Sequence, residues 1–306
     1  MRMGFGLPVS GSWATPDNVL TVARRADQFG YASVWSFQRL LTPPGNQLAP
    51  VYTSVLDPTV VLGYAAAVTE RVDLGIAIIN APFESPALLA KQLATLDLLS
   101  RGRLIAGLGL GWLPEEFTAS GVPFERRGAR IEEYLRCLEA LWGPDPVRFD
   151  GEFYQVPPSL ALPKPVPRAT SGSGRSSRPP ILMGGDAPAA LERIGRIGDG
   201  WISSSRVPPA DFGQRVEVVK AAATAAGRDP EQLRFVCRGV LLDAPRSRPL
   251  TGSLAEARAD LPGLADQGVT DLFIDLNFDP TIGHPDADPA ASMRRALAVL
   301  EAFAPA

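Results

Sequence analysis

The sequence has little of the two residue types that build most metal and redox sites. Its 306 residues include one histidine and two cysteines, Cys137 and Cys237, which stand in apolar surroundings without CxxC spacing. A histidine-based metal centre needs several imidazoles, and a disulfide framework needs more cysteines at characteristic spacings. We therefore expect no metal site, and we expect both cysteines to be reduced core residues of a cytoplasmic protein.

An excess of one charge and long apolar runs are also absent. Lys and Arg number 30 against 33 for Asp and Glu, so the net charge is −3. Binding of nucleic acid usually requires a basic surface, and no stretch approaches the ~20 apolar residues of a membrane span. The first ten residues, MRMGFGLPVS, lack the apolar run of a signal peptide. We expect no nucleic-acid partner, no membrane partner and a cytoplasmic location.

The sequence does contain a regular alternation of short apolar runs and amphipathic segments, most clearly in residues 72–112. Val72–Ile79 and Leu104–Leu110 are apolar runs of the length of buried strands. Between them, Ser85 followed by Pro86 is typical of a helix start, with a capping oxygen and then a residue that needs no amide partner. A strand, a crossover helix and a second strand at this spacing predict a parallel βαβ unit.

The same alternation continues along the chain and predicts eight strands, each followed by a helix. A (β/α)₈ TIM barrel of the α/β class, formed as one domain by residues 1–306, is the economical arrangement. A doubly wound sheet is the alternative, but its GxGxxG fingerprint does not follow the first strand. The predicted strands are Met3–Val9, Ala32–Phe37, Val72–Ile79, Leu104–Leu110, Ile181–Gly184, Gly200–Ser203, Leu233–Leu242 and Asp271–Leu276.

An insertion of about residues 147–180 separates the fourth and fifth strands. It begins with a predicted hairpin that turns at Asp150 and Gly151, a favoured turn pair. Its second part, residues 157–180, is rich in Pro, Ser, Gly and Arg and is either a lid or a disordered surface loop.

In a barrel of this kind the active site lies at the carboxyl ends of the strands. The end of the fifth strand leads directly into a helix, whose first amides and positive dipole end suit a phosphate. Hydroxyls and a guanidinium follow the sixth strand and can hold the same phosphate, although barrels more often bind phosphate after strands seven and eight. A tight turn with an ordinary helix cap is the alternative. The candidate ligands are Gly184, Gly185, Asp186, Ser203, Ser204, Ser205 and Arg206.

Glycines and aromatic residues mark other strand ends. The fourth strand is thinned by glycines, so that another group can approach its backbone closely. Three aromatic residues at strand ends are either an apolar wall for a substrate or lids on the core. The glycines are Gly107, Gly109 and Gly111, and the aromatic residues are Trp13, Phe37 and Trp112.

Four segments in this order resemble the bacterial luciferase-like flavoenzymes, and more closely their branch that uses the deazaflavin coenzyme F420. They are YASVWSFQRLL, VDLGIAIINAPF, SRGRLIAGLGLGW and ILMGGDAPAALERIGRIGDGW, and they extend over most of the chain. The resemblance implies hydride transfer between C5 of F420 and a small organic substrate, with the phosphate of F420 or FMN at the glycine and serine residues described above. It also implies a homodimer formed through helices near strands two to four, beside the apolar loop LLTPPGNQLAPVYTSVL.

The resemblance further implies a bulged, non-proline cis peptide at Ala77 and Ile78, behind the central ring of the coenzyme, with Asn80 next to it. An ordinary trans strand is the alternative. The end of the second strand departs from the family, because Gln38 and Arg39 stand where F420 enzymes often have an acid followed by histidine. Glutamine cannot serve as an acid or base at neutral pH.

The candidates for catalysis are therefore Gln38, Arg39 and His284, of which Arg39 can bind an anionic substrate group. Surface positions are the alternative for Arg39 and His284. Three other functions stay open, namely an FMN-dependent monooxygenase of the same fold, a flavin-binding protein without turnover, and an unrelated phosphate-binding barrel. The last of these needs a base at a strand end, for which Asp275 is the strongest candidate.

Overall fold

The computed structural model describes residues 1–45, 48–168 and 178–305. Eight parallel strands form a closed barrel, because β1 pairs with β2 and β11, and β3 pairs with β5 across the closure. The predicted (β/α)₈ fold is confirmed. Numbered along the chain, the strands are β1 (Arg2–Gly6), β2 (Ser33–Ser36), β3 (Asp73–Ile76), β4 (Ile79–Asn80), β5 (Leu104–Gly109), β6 (Val147–Asp150), β7 (Gln155–Ser159), β8 (Ile181–Gly184), β9 (Gly200–Ile202), β10 (Arg234–Gly239) and β11 (Asp271–Ile274).

The helices begin where local capping signals place them. Thr15, Asp57, Ser85 and Asp288 each accept a main-chain hydrogen bond at a helix start and are each followed by proline. The start at Ser85 and Pro86 is the one predicted above. The helices of the described residues are α1 (Pro16–Gln28), α2 (Pro58–Ala66), α3 (Pro86–Leu99), α4 (Pro114–Ala119), α5 (Arg127–Trp142), α6 (Pro188–Ile197), α7 (Phe212–Ala225), α8 (Leu254–Ala259), α9 (Leu261–Asp266) and α10 (Pro289–Ala302).

Two of the predicted helix features are wrong. The apolar pattern after the seventh strand predicts one helix over Leu254–Gln267, but the structure has two short helices there, because Pro262 interrupts the helix near Asp260. The apolar pattern of α2 predicts that Tyr64 faces the core together with Val61 and Ala65, but Tyr64 is 43% exposed. No helix among the described residues has the length and apolarity to cross a membrane.

A small apolar cluster fills the barrel interior and forms the base on which the site is built. Trp35 stacks on Phe273 with ring centroids 4.9 Å apart. Gly75 makes room for Trp35, because a Cβ at this position would overlap the indole ring. The cluster consists of Trp35, Ala77, Ile105, Leu182, Ile202, Val236 and Phe273, with Ile78 packed against it.

The third barrel strand is divided into β3 and β4 by a bulge. Gly75 pairs with Ile105 and Ile79 pairs with Leu108, so four steps on one strand match three on the other. The extra residue lies at Ala77 and Ile78, whose peptide bond is cis. The expected bulged cis peptide is confirmed, and the continuous strand predicted over Val72–Ile79 is wrong because the bulge interrupts it.

The insertion begins with the predicted antiparallel hairpin, but the turn is longer than expected. Asp150 pairs with Gln155, which leaves a loop of residues 151–154 instead of a two-residue turn at Asp150 and Gly151. The buried carboxylate of Glu133 accepts hydrogen bonds from the amides of residues 152, 153 and 154, and so holds the longer loop. Residues 169–177, in the stretch expected to be a lid or a disordered loop, lie outside the described residues.

Candidate functional site

A cavity of about 400 Å³ opens at the carboxyl ends of the barrel strands, between the ends of β2 and β10. Its volume is within the usual range for small-molecule sites. The fold therefore brings together most of the residues singled out in the sequence, although their roles stay predictions. Those that line the cavity are Phe37, Gln38, Arg39, Ala77, Ile78, Asn80, Gly111, Trp112, Gly184, Gly185, Asp186, Ser203, Ser204 and Ser205.

Three other candidates lie away from the cavity lining. Trp13 is 0% exposed, inside the main core cluster, and therefore packs as a core residue. His284 lies in the loop after β11, where its Nδ1 accepts a hydrogen bond from the amide of Asp286. Arg206 is exposed, with its guanidinium 5.1 Å from the ring centroid of Trp112 at the rim.

Gly107 and Gly109 lie behind the bulge. A Cβ at Gly107 would overlap the carbonyl oxygen of Ile76, and one at Gly109 would overlap the side chain of Ile78. The expected close approach to the β5 backbone therefore exists, but the approaching group is the neighbouring strand. Gly111, with φ of 72°, is the one member of the three that lines the cavity.

The bulge forms one wall of the cavity and is held from both sides. Gln38 donates its main-chain N–H to the carbonyl of Ile78 (3.2 Å) and accepts the N–H of Asn80 on its side-chain Oε1 (2.9 Å). Arg238 donates to the carbonyl oxygen of Ala77. A glutamine suits this position because its amide oxygen can hold a main-chain N–H at any ordinary pH.

Arg238 is a cavity residue that the sequence analysis missed. Its guanidinium is buried 4.8 Å from the ring centroid of Phe278, and its Nε lies 3.6 Å from Asp275. A signal was present, since this arginine interrupts the apolar run of β10. Burial raises the pKa of Asp275, which Asn277 and Arg238 contact. Asp275 does not line the cavity. It therefore cannot serve there as the base that the hypothesis of an unrelated phosphate-binding barrel requires.

The cavity is bounded on one side by what we call the arginine side, formed by Phe37, Arg39, Tyr52 and Trp112. Arg39 is 9% exposed, so the surface alternative for it is wrong. Its Nη1 lies 2.7 Å from the fully buried carboxylate of Glu116, which also accepts the N–H of Leu40. Tyr52 was also missed by the sequence analysis, because its loop position carries no local signal of the fold around it.

The opposite boundary, the glycine–serine side, consists of residues 184–187 and 203–205. Gly185 has φ of 151°, a conformation that favours glycine, and its carbonyl accepts a hydrogen bond from Trp201. Helix α6 starts at Pro188, and Ala187 at its cap position offers no side-chain cap. The carboxylate of Asp186 is paired with Arg215, and the pKa of Arg215 is raised by that hydrogen bond.

The first amides of α6 are consequently open to a ligand. Among the described residues, no hydrogen-bond acceptor is found for the amides of Asp186, Ala187 and Ala189. The hydroxyl of Ser203 accepts the N–H of Arg238 (3.0 Å) and that of Ser204 accepts the N–H of Arg206 (3.3 Å), and Ser204 is exposed. Unpaired amides at a helix start, next to hydroxyls and to a carboxylate that Arg215 neutralises, fit an anionic group such as a phosphate.

Groups that transfer protons are scarce in this cavity. Among the described residues that line it, Asp186 is the one acid, and histidine is missing. Both cysteines are buried elsewhere, and burial raises the pKa of Cys237 to about 12. The arrangement therefore suits binding and orienting an organic coenzyme more than acid–base catalysis by side chains.

Comparison with known proteins identifies a family profile and several relatives that match this chain. The family profile described as luciferase-like monooxygenase matches residues 4–248. An uncharacterized protein of Mycobacterium tuberculosis is 35% identical over 244 residues, which cover 75% of this chain and 80% of the relative. An FMNH₂-dependent dimethylsulfone monooxygenase of Pseudomonas putida is 34% identical over 164 residues, covering 53% of this chain and 42% of that protein.

Among solved structures, the coenzyme F420-dependent tetrahydromethanopterin reductase of Methanopyrus kandleri has a similar fold. Its TM-score is 0.74 with 17% sequence identity, over 99% of this chain and 97% of the reductase. At this identity, the likeness is evidence of the shared barrel fold alone.

Proposed function

Because the chain belongs to the luciferase-like monooxygenase family, we propose that it is an oxidoreductase that transfers a hydride between coenzyme F420 and a small organic substrate. The observation that carries this proposal is one continuous cavity that joins the bulge at Ala77 and Ile78 to the open start of α6. A coenzyme with a flat ring at one end and a phosphate along its tail matches these two features.

The glycine–serine side would hold the phosphate. The amides of Asp186, Ala187 and Ala189 are available as donors, and the exposed hydroxyl of Ser204 can add another. Arg215 neutralises the carboxylate of Asp186 and so removes the repulsion that this carboxylate would otherwise exert on an anion.

The bulge would support the ring. Ala77 and Ile78 present small apolar groups to the cavity, and Gln38 and Arg238 fix their main chain in place. F420, when bound, supplies the hydride chemistry at C5 of its ring, while the protein supplies binding and orientation. Phe37 and Trp112 also line the cavity and would limit the access of water to the reacting atoms.

Gln38 and Arg39 have roles other than proton transfer in this proposal. Gln38 positions Asn80 and Ile78, and Arg39 is held as a permanent cation. The flavin-binding protein without turnover would gain support if Gln38, Arg39 and His284 all lay far from the cavity. His284 does not line the cavity, but Gln38 and Arg39 do.

An FMN-dependent monooxygenase is the second candidate function. It is favoured by the Pseudomonas putida relative, which has FMNH₂ in its name and is 34% identical over 53% of this chain. The described cavity has the same features to offer either coenzyme, because both carry a phosphate and a three-ring system.

Equilibrium titration of the coenzyme-free protein with F420 and with FMN, side by side, separates the two functions. We expect F420 to bind at least ~10-fold more tightly, a difference of about 1.4 kcal/mol. Equal affinities, or tighter binding of FMN, would favour the monooxygenase. Binding of neither coenzyme would reject both functions.

We further propose that the protein is a homodimer. Helix α2 carries apolar residues on every face, a composition typical of a buried helix. However, Val60 is 72% exposed and Tyr64 is 43% exposed on its outer face. Leu40 and Leu56, at the two ends of the apolar loop, are exposed as well, and a second copy of the chain would cover these side chains.

A further inference from the structure

We infer that the substrate carries a carboxylate or a similar planar anion, and that Arg39 binds it on the arginine side of the cavity. This inference deepens the proposed function and rests on it for the assignment of the glycine–serine side to the coenzyme. It concerns a group of residues separate from the glycine–serine side, namely Arg39, Tyr52, Trp112 and Glu116.

Arg39 is held rigidly in one orientation. Its Nη1 contacts the Glu116 carboxylate at 2.7 Å. The guanidinium carbon lies 4.7 Å from the ring centroid of Tyr52 and 4.8 Å from that of Trp112. A carboxylate together with two aromatic rings fixes both the position and the plane of the guanidinium, so little entropy is lost when a ligand binds to it.

The rest of the guanidinium has unused donors. Nε is enclosed and has no hydrogen-bond partner among the described residues. Nη2 also has no partner there and, unlike Nε, is not enclosed by protein. Since Arg39 lines the cavity, a ligand oxygen can reach Nη2, which is the free edge of the guanidinium. A carboxylate oxygen accepts a strong, charge-assisted hydrogen bond from such a donor.

The charges around Arg39 favour an anion over a neutral ligand. Arg39 and Glu116 form an ion pair without net charge, and the amide of Leu40 also donates to this carboxylate. Arg206 adds an exposed positive charge on Trp112, 5.1 Å from the ring centroid. The sole acid in the described lining, Asp186, belongs to the opposite side and is paired with Arg215.

The neighbouring surface indicates the rest of the substrate. Phe37 and Tyr52 are in edge contact with each other, and Tyr52 also contacts Trp112, which is 41% exposed. These rings form an apolar wall beside the free edge of Arg39, and such a wall suits a flat apolar body. Benzoate therefore serves as a probe, and benzamide is its uncharged counterpart of nearly the same shape.

Calorimetric titration of the full chain with benzoate and with benzamide tests the inference, first without coenzyme and then in saturating F420. We expect wild type to bind benzoate with a Kd of ~1 mM or below and at least ~10-fold more tightly than benzamide. Comparable binding of the two probes, or no measurable benzoate binding, would overturn the inference. Failure of F420 to bind would count against the proposed function and leave the benzoate comparison readable.

Variants of the protein test whether Arg39 causes the preference for benzoate over benzamide. Because Arg39→Gln alone leaves Glu116 buried and unpaired, the informative protein is the double variant Arg39→Gln with Glu116→Gln. It should lose the benzoate preference and bind benzamide as wild type does. The matched control is Arg126→Gln, which removes an arginine also held by a glutamate and an aromatic ring, Glu152 and Phe153, outside the cavity lining. If the double variant keeps the full preference for benzoate over benzamide, the inference is wrong and Arg39 only connects its loop to α4 through Glu116.

Discussion

The two sides of the cavity provide hydrogen-bond donors in opposite ways. On the glycine–serine side the donors are main-chain amides at the start of α6, and the side chains around them are small. On the arginine side one guanidinium supplies the donors, and Glu116 with two rings holds it in place. On the glycine–serine side, loss of a side chain should therefore affect anion binding little, whereas an added negative charge should prevent it. On the arginine side, loss of the Arg39 side chain should be the change that abolishes anion binding.

The largest expected effect comes from adding a charge to the glycine–serine side. Ala187 occupies the cap position of α6 with extended main-chain angles, φ −68° and ψ 145°. Ala187→Asp should therefore stabilise the free protein by about 1 kcal/mol, because the new carboxylate caps the helix. It should weaken F420 and FMN binding at least ~100-fold, since a carboxylate next to a phosphate is strongly repelled. Thermal unfolding and fluorescence titration measure the two quantities.

The control for that variant is Ala187→Asn, which caps the helix with an uncharged side chain of nearly the same size. It should weaken coenzyme binding by no more than about tenfold, because its side chain takes up one amide at the helix start without adding a charge. Riboflavin, which lacks the phosphate, should bind all three proteins alike. If Ala187→Asp binds FMN as tightly as wild type does, the phosphate does not lie at the start of α6.

On the arginine side, the loss of a side chain is the informative change, and the double variant at Arg39 and Glu116 tests it with an expected loss of ~10-fold in benzoate affinity. The same variant should leave FMN binding within about threefold of wild type. A large loss of FMN affinity would show that the two sides do not bind separate ligands.

A smaller effect is expected at Arg206, the arginine that the sequence placed with the phosphate ligands. The structure places it on the exposed rim over Trp112, outside the lining. Exposed charges contribute little and are screened by salt. Arg206→Ala should weaken FMN binding by about threefold at low ionic strength and by less at 0.5 M salt. A loss of one to two decades that persists at high salt would return Arg206 to the phosphate site.

The smallest effect on the cavity should come from the proposed dimer surface. Val60→Asp places a charge on the exposed apolar face of α2. We expect the wild type to have the mass of a dimer by light scattering and Val60→Asp to have the mass of a monomer, with coenzyme affinity changed less than about twofold. A monomeric wild type across micromolar concentrations would remove the proposal.

The parts of the fold that sequence predicts well are those with local causes. Ser85 followed by Pro86 caps α3 through the amide of Leu88, an interaction within four residues. Short apolar runs gave all eight barrel strands within a few residues. The strand ends placed most of the candidate residues at one rim, because parallel barrel strands all finish on the same face.

The remaining features depend on contacts between distant segments. Trp13 and Phe37 both follow strands, yet Trp13 packs in the core and Phe37 lines the cavity, because a strand end does not fix the direction of the next side chains. Tyr52 reaches the cavity from the loop after β2, and Arg238 reaches it from β10, far from Arg39 in sequence. The partner of Arg39, Glu116, is 77 residues away.

A crystal structure of the protein with F420 bound shows whether the two sides of the cavity bind different ligands. We expect the phosphate at about 3 Å from the amides of Asp186, Ala187 and Ala189, the ring against Ala77 and Ile78, and the free edge of Arg39 open to substrate. A phosphate bound after β10 and β11, or a coenzyme group bonded to Arg39, would contradict this expectation.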